Sequence, residues 1–373
     1  MRPCDGLLVL DFSTLLPGPL ATLMLAEAGA RVIKIEKPGG GDEMRAYPPS
    51  WGGSGTNFAL LNAGKESIAV DLKSPDGRRR LMPLIEAADI LVEQFRPGVM
   101  ARLGLDYDTL AAINPSLVYC SITGYGQDGP KRDRAGHDID YLAESGLLAL
   151  SSGSPTAAVL PPILAADIAG GAYPALVNIL MGLALRDRSG RGLHIDVAMT
   201  ENLLPFAYWA FGQGWFTGRW PADGEGIVTG GSPRYGLHRT RDGRLVAVAA
   251  IEPKFWSAFC DTIALDEPLR DDARDPSATR AAIAARIAAA DAEDWQRRFD
   301  VADCCCTVVR DLAEAMNDPH FRARGVFARR IRNADGDEAP ALPLPLAPAF
   351  RADPSTVPEV PALGAHGERF FTD

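Results

Sequence analysis

A strand-like run, a helix-like run and a second strand-like run follow one another within residues 7–36, and the pattern then repeats. Residues 7–12 are apolar apart from Asp11 and read as a buried strand. Pro17, Gly18 and Pro19 break the chain, residues 20–28 read as a helix ended by Gly29, and residues 31–36 read as the next strand. Strands at 67–72, 90–93 and 117–122 alternate with helices at 76–87 and 107–113. Strands separated by whole helices cannot close tight hairpins, so the alternation specifies parallel strands with crossover helices. The fold class is therefore α/β, with a Rossmann-like sheet over residues 7 to about 125. The first turn, Leu15-Leu16-Pro17-Gly18-Pro19, does not match G-x-G-x-x-G, so an NAD or FAD site is not expected.

The remaining chain changes character. Residues 168–186 read as a long apolar helix, stopped by the run from Arg186 to Gly190. A strand at 194–199 and an aromatic-rich helix at 201–216 follow, then a glycine- and proline-rich linker at 218–233. Beyond it lies the pattern of a smaller α/β domain, with strands at 244–250 and 304–309 and helices at 253–263, 277–290, 294–299 and 311–316. From Ala339 the chain is rich in proline, which favours an extended arm lying on another surface. No internal repeat is visible.

A formal net charge of -10 shows no basic excess for a nucleic-acid partner. The basic runs Arg78–Arg80 and Arg329–Arg330 read as solvated faces. No run approaches ~20 uninterrupted apolar residues, so no membrane span is expected, and the N-terminus lacks a signal-peptide pattern. The six cysteines, including adjacent Cys304, Cys305 and Cys306, have neither disulfide-framework nor zinc-ligand spacing. They point to a reducing, cytoplasmic setting, with the triplet read as small buried residues of a strand.

Two segments carry chemistry. Gly136-His137-Asp138 is followed, thirty residues after the histidine, by Asp167 in an Ala-Ala-Asp-Ile-Ala-Gly-Gly context. Imidazole and carboxylate are the groups best suited to moving protons near neutral pH. On opposite sides of one carbon they would remove a proton from one face and return one to the other, as in a cofactor-independent racemase or epimerase. Asp167 also suits a helix N-cap, and Glu252 before Pro253 suits a helix start.

Seven segments in order extend this reading. They are residues 16–19, 29–36, 70–74, 95–99, 124–130, 136–138 and 250–253. On these the chain resembles the family III CoA transferases, and within them the α-methylacyl-CoA racemase branch. The resemblance implies a Rossmann-like large CoA-binding domain at 1–217 to which 326–373 return, a linker at 218–233 and a small domain at 234–325. It further implies an interlocked homodimer with the active site shared between chains. His137 and Asp167 are then the acid–base pair, with Glu252 of the second chain hydrogen-bonding His137. Backbone N–H groups near Asp167 are candidates to stabilise the enolate. Lys37 and Arg96 match phosphate-contacting positions, Leu72 and Lys73 the adenine segment, Leu16 and Pro17 the thioester arm, and Asp138 and Tyr141 the pocket wall. The implied substrate is a 2-methylacyl-CoA, placing the enzyme in lipid metabolism as an isomerase without metal or redox cofactor. The alternative is CoA transfer, with Asp167 attacking the thioester to form an acyl-aspartyl anhydride. Arg234 and His238 depart from the family pattern and point to a distinct acyl pocket.

Overall fold

The computed structural model describes residues 1–154 and 157–370. The chain divides into two compact units, one of Met1–Ser145, Pro162–Pro205 and Pro319–Asp373, the other of Gly146–Pro161 and Phe206–Asp318. Residues 206–217, which the sequence reading joined to the large domain, group with the second unit.

Six strands form the sheet of the first unit: β1 (Leu8–Asp11), β2 (Arg31–Glu36), β3 (Glu66–Ala69), β4 (Ile90–Glu93), β5 (Val118–Thr123) and β6 (Leu193–Ala198). All pairings are parallel and the order is β3-β2-β1-β4-β5-β6. The expected parallel α/β sheet is present. β2 and β4 occupy their expected ranges, while β3 stops short because Asp71 opens a turn. The Asp71 carboxylate accepts the Lys73 N–H at 2.9 Å, and its carbonyl accepts the Ser74 N–H at 3.1 Å.

Helix α1 (Pro17–Glu27) starts three residues earlier than expected, because a proline at the first position of a helix has no N–H to leave unpaired. Helix α2 (Pro75–Ala87) matches its pattern. Helix α3 (Asp138–Glu144) was not anticipated. A π-helical turn, Ala166–Ala172, leads into α4 (Tyr173–Ser189). α4 buries Ala175, Ile179, Gly182 and Leu183, with Gly182 meeting side chains of Val118 and Ile195 on β5 and β6. The combined helix Ala166–Ser189 has a mean hydropathy of 1.7, long and apolar enough to cross a membrane by length and composition. In the fold it is the crossover that precedes β6.

The sheet's centre holds charge that no apolar pattern announces. Asp11 pairs with Lys65 at 3.1 Å and Lys34 with Asp42 at 3.0 Å, all four side chains fully buried. Thr22 Oγ1 donates to Asp11 at 2.6 Å. Burial pushes the Asp11 carboxyl up, but Lys65 and Lys34 outweigh it and hold it well below the usual range. The cluster shapes the turn after β1: Lys34 Nζ donates to the Ser13 carbonyl at 2.8 Å, and Asp42 accepts the Leu15 N–H at 3.2 Å.

In the second unit β7 (Tyr235–Arg239), β8 (Leu245–Ala249) and β9 (Cys306–Val308) form an antiparallel sheet in that order. Helices α5 (Tyr208–Thr217), α6 (Pro253–Thr262), α7 (Pro276–Ile287) and α8 (Ala292–Ala302) accompany it. Trp256, Phe259, Ile283, Trp295 and Phe299 build its core. Residues 201–207, expected as α-helix, are 3-10 and contain Pro205, which has no N–H for the i−4 ladder. The cysteine triplet is not uniformly buried. Cys304 is in the core, whereas Cys305 is exposed in the left-handed region (φ 54°) and Cys306 opens β9. All six cysteines are free. The proline-rich tail lies along the first unit, where Gly64 N–H donates to the Glu359 carbonyl at 2.8 Å and His366 N–H to the Ser67 carbonyl at 3.0 Å.

Candidate active site

Strand order reverses direction between β1 and β4, where an open parallel sheet offers a crevice at its C-terminal edge. A cavity of about 480 Å³ occupies that position. Leu15 and Pro17 come from the turn after β1, residues 94–97 from the turn after β4, Ile122 and Thr123 from the end of β5, and Met199 from just beyond β6. His137 and Asp167 both line this cavity, so residues thirty apart in sequence are brought to one space.

Each wall has a local cause. Leu15 adopts a left-handed conformation (φ 62°), a strained state for a leucine, held by the buried ion cluster beneath it. Glu93, at the end of β4, accepts the Phe95 N–H at 2.8 Å and thereby folds the 94–97 turn. Burial pushes its carboxyl up to about 7, against a hydrogen bond from Ser121. Gln94 Oε1 accepts the Gly18 N–H at 2.9 Å, which fixes the amide with its Nε2 donor free of that bond.

His137 is exposed and forms the N-cap of α3, its backbone N–H bound by Asp140 Oδ2 at 2.9 Å. Gly136 is required here for packing: a Cβ would stand 2.7 Å from the Tyr141 ring, whose hydroxyl donates to the Gly136 carbonyl at 2.6 Å. The glycine beside the histidine thus admits the neighbouring ring instead of a ligand. Tyr141 is buried and lines the cavity, and burial pushes its phenol up to about 12.

Asp167 lies half-buried in the π-helical turn, a local widening often found at functional sites. Burial first, then the neighbouring Asp138 carboxylate, push its carboxyl up to about 6, while His137 opposes the shift. Gly170 lets this turn sit against the chain at Met199, whose carbonyl would be 2.6 Å from a Cβ. Asp138 does not line the cavity. It is buried and its Oδ1 accepts the Asp167 N–H at 3.0 Å, tying the start of α3 to the π-helical turn. The Ile168 N–H is bound to the Leu164 carbonyl at 3.1 Å. The two N–H groups nearest the carboxylate, expected as enolate donors, are therefore already occupied.

The remaining expected residues separate. Pro17 and Arg96 line the cavity, and Leu16 sits between its lining residues Leu15 and Pro17. Lys37 follows β2, where it pairs with Glu43 at 2.5 Å, and Leu72 and Lys73 follow β3. These three lie along the same sheet edge but not in the cavity lining. Glu252 is exposed in the second unit as the N-cap residue of α6, with no capping bond from its side chain. Arg234 is engaged by Asp272 at 2.6 and 3.0 Å and stands over the Trp256 ring, so its guanidinium is already committed. His238 is on β7 with Nε2 buried. Leu15, Gln94, Arg132, Arg134 and Met199 line the cavity without having been singled out. A strand-end position was the signal available for Gln94, and two arginines just before the Gly-His-Asp segment for the others.

The family model for CoA-transferase family III matches residues 4–367. The chain belongs to this family. It is 34% identical to human alpha-methylacyl-CoA racemase, covering 99% of this chain and 92% of that protein. It is equally 34% identical to acetyl-CoA:oxalate CoA-transferase of Acetobacter aceti, covering 98% and 94%. The crystal structure of a CAIB/BAIF family protein from Brucella suis matches with a TM-score of 0.83 at 27% identity, covering 99% of this chain and 98% of that one. The chain is thus an enzyme of a family whose members include both racemases and CoA transferases.

Proposed function

We propose that this family III protein racemises 2-methylacyl-CoA thioesters by removing and returning the α-proton through an enolate. The observation that carries the reading is the shared cavity of His137 and Asp167 at the sheet's switch point. An α-proton of a thioester is weakly acidic, so a base with raised proton affinity has the smaller gap to cross. Asp167, pushed up to about 6, fits that role on one face, and His137 returns the proton on the other. For the opposite enantiomer the roles exchange. The enolate oxygen needs a fixed donor, and the Gln94 side-chain amide, anchored by Gly18, takes the part first expected of the N–H groups near Asp167.

Lys37 and Lys73 serve the CoA phosphates, Leu72 the adenine, and Leu16 and Pro17 the thioester arm. Glu252 serves as the group a second copy brings to His137. An apolar stripe on α4 (Tyr173, Val177, Leu180, Met181 and Leu185, all exposed) supports a homodimer. The proposed setting is cytoplasmic lipid metabolism, which the six free cysteines support, and the reaction takes no metal or redox cofactor.

The second reading is CoA transfer with Asp167 as nucleophile, favoured by the oxalate CoA-transferase relative at the same identity. The two part in D2O. A racemase incorporates deuterium at the α-carbon of a 2-methylacyl-CoA with no acceptor acid present. A transferase leaves that carbon unlabelled, and hydroxylamine inactivates it during turnover by trapping the anhydride.

A further inference from the structure

The cavity carries more positive charge than its acid–base pair uses. Three guanidinium groups line it: Arg96, Arg132 and Arg134. Arg134 is neutralised by Glu144 at 2.8 Å. Arg132 reaches only the carboxylate of its neighbour Asp133, at 3.8 Å, a pair so exposed that water screens it. The Arg96 guanidinium has no hydrogen-bond or ion-pair partner among the described residues. Of the two carboxylates in the lining, Asp140 holds the His137 backbone and Asp167 belongs to the acid–base pair. Two guanidinium groups therefore face a pocket otherwise walled by Leu15, Pro17, Phe95, Pro97, Ile122 and Met199. Such groups beside apolar walls call for an anion.

CoA supplies anions of its own, but at the wrong place. Its diphosphate hangs thirteen bonds from the sulfur, roughly 15 Å at the reach of an extended chain. A 480 Å³ space is only roughly 10 Å across as a sphere. The cations proposed for the phosphates, Lys37 and Lys73, follow β2 and β3, on one side of β1. Arg96 follows β4 and Arg132 follows β5, on the other side.

We propose that Arg132, together with Arg96, binds a second carboxylate on the acyl group, so that the preferred substrate is the CoA thioester of a branched dicarboxylic acid. This rests on the racemase reading for the reaction but not for the binding. Both guanidinium groups are parallel-fork donors suited to a carboxylate, and the apolar walls hold the carbon chain between it and the thioester.

The test compares 2-methylglutaryl-CoA, esterified at the branched end, with 2-methylhexanoyl-CoA, alongside the pantetheine thioesters of both acids, which lack every phosphate. Calorimetric Kd is measured for the wild-type chain, Arg132→Ala and Arg132→Lys, with melting temperature as the folding control. The wild type is expected to prefer the dicarboxylic thioester about tenfold or more, as for a charged hydrogen bond. Arg132→Ala should erase most of that preference, Arg132→Lys should keep part of it, and the pattern should persist in the pantetheine series. Equal wild-type affinity for the two acyl groups overturns the proposal. So does an Arg132→Ala loss that is equal for both CoA thioesters and vanishes with the pantetheine ones, which would assign the arginine to the phosphates. Deuterium exchange measured in parallel separates the two readings: a dicarboxylate preference without exchange overturns the racemase assignment and leaves this proposal standing.

Discussion

His137 and Asp167 line one cavity, yet the two sides of it are built differently. The histidine is exposed, capping a seven-residue helix whose start is held by Asp140 and by the Tyr141 ring packed on Gly136. The aspartate is half-buried in a widened helical turn, held by Asp138 from behind and pressed against Met199. Burial pushes the Asp167 carboxyl up to about 6, while water has access to the imidazole. Two groups whose ordinary proton affinities are far apart are thereby brought closer, which is what exchange of roles between two enantiomers requires. A transferase needs only the buried side of this arrangement.

The largest expected effect tests the buried side. Asp167→Asn keeps the shape and removes the base, and should lower α-deuterium incorporation by roughly 10²–10⁴-fold, the usual worth of a positioned acid or base. Residual exchange near the wild-type rate would end the role given to Asp167. Next comes the exposed side. His137→Gln should lower exchange by a similar roughly 10²–10⁴-fold if both faces are used. If acyl-CoA turnover with an acceptor acid instead stays within about tenfold of wild type, the comparison breaks in favour of the transferase.

A smaller effect probes how the histidine is held. Gly136→Ala would force a Cβ to within 2.7 Å of the Tyr141 ring. Overpacking of this kind costs about 1–3 kcal/mol, read as a fall in melting temperature. An unchanged melting curve would mean that the ring does not fix the Gly-His-Asp start. The smallest effect concerns pH. Asp138→Asn keeps an oxygen to accept the Asp167 N–H but removes the charge that helps hold the Asp167 proton. The acid limb of the exchange profile should move to lower pH, by about one unit at most, which is ~1.4 kcal/mol. Stability should respond with a matching sign. A carboxyl raised in the folded state favours its protonated form, so its contribution is full below the usual carboxylate range and is lost as pH rises through about 6. Asp167→Asn should remove that loss, and Asp138→Asn should reduce it, in urea titrations across pH 4 to 7.

Legibility along the chain followed how local the cause was. β2 and β4 coincide with their apolar runs because strands buried on both faces must be continuously apolar. α3 was missed because seven residues opened by Gly-His-Asp offer little helical period, and its place depends on Tyr141 packing back on Gly136. β7 was missed because alternating glycine, histidine and arginine do not mark a buried strand until β8 pairs with it. Asp138, named as a pocket wall, lies behind one, and Arg132, unremarked among neighbouring charges, lines the cavity.

The order of apolar runs and breaks was enough, on its own, for a parallel α/β sheet, and the ordered segments were enough for the family, since both are properties of local composition and spacing. Tertiary structure alone decided that Asp167 would be half-buried beside Asp138, that Lys34, Lys65, Asp11 and Asp42 would meet beneath the β1 turn, and that two unneutralised arginines would share a space with the acid–base pair. The physical reason is that proton affinity and charge recognition depend on which groups lose water together, and chain distance does not encode that loss.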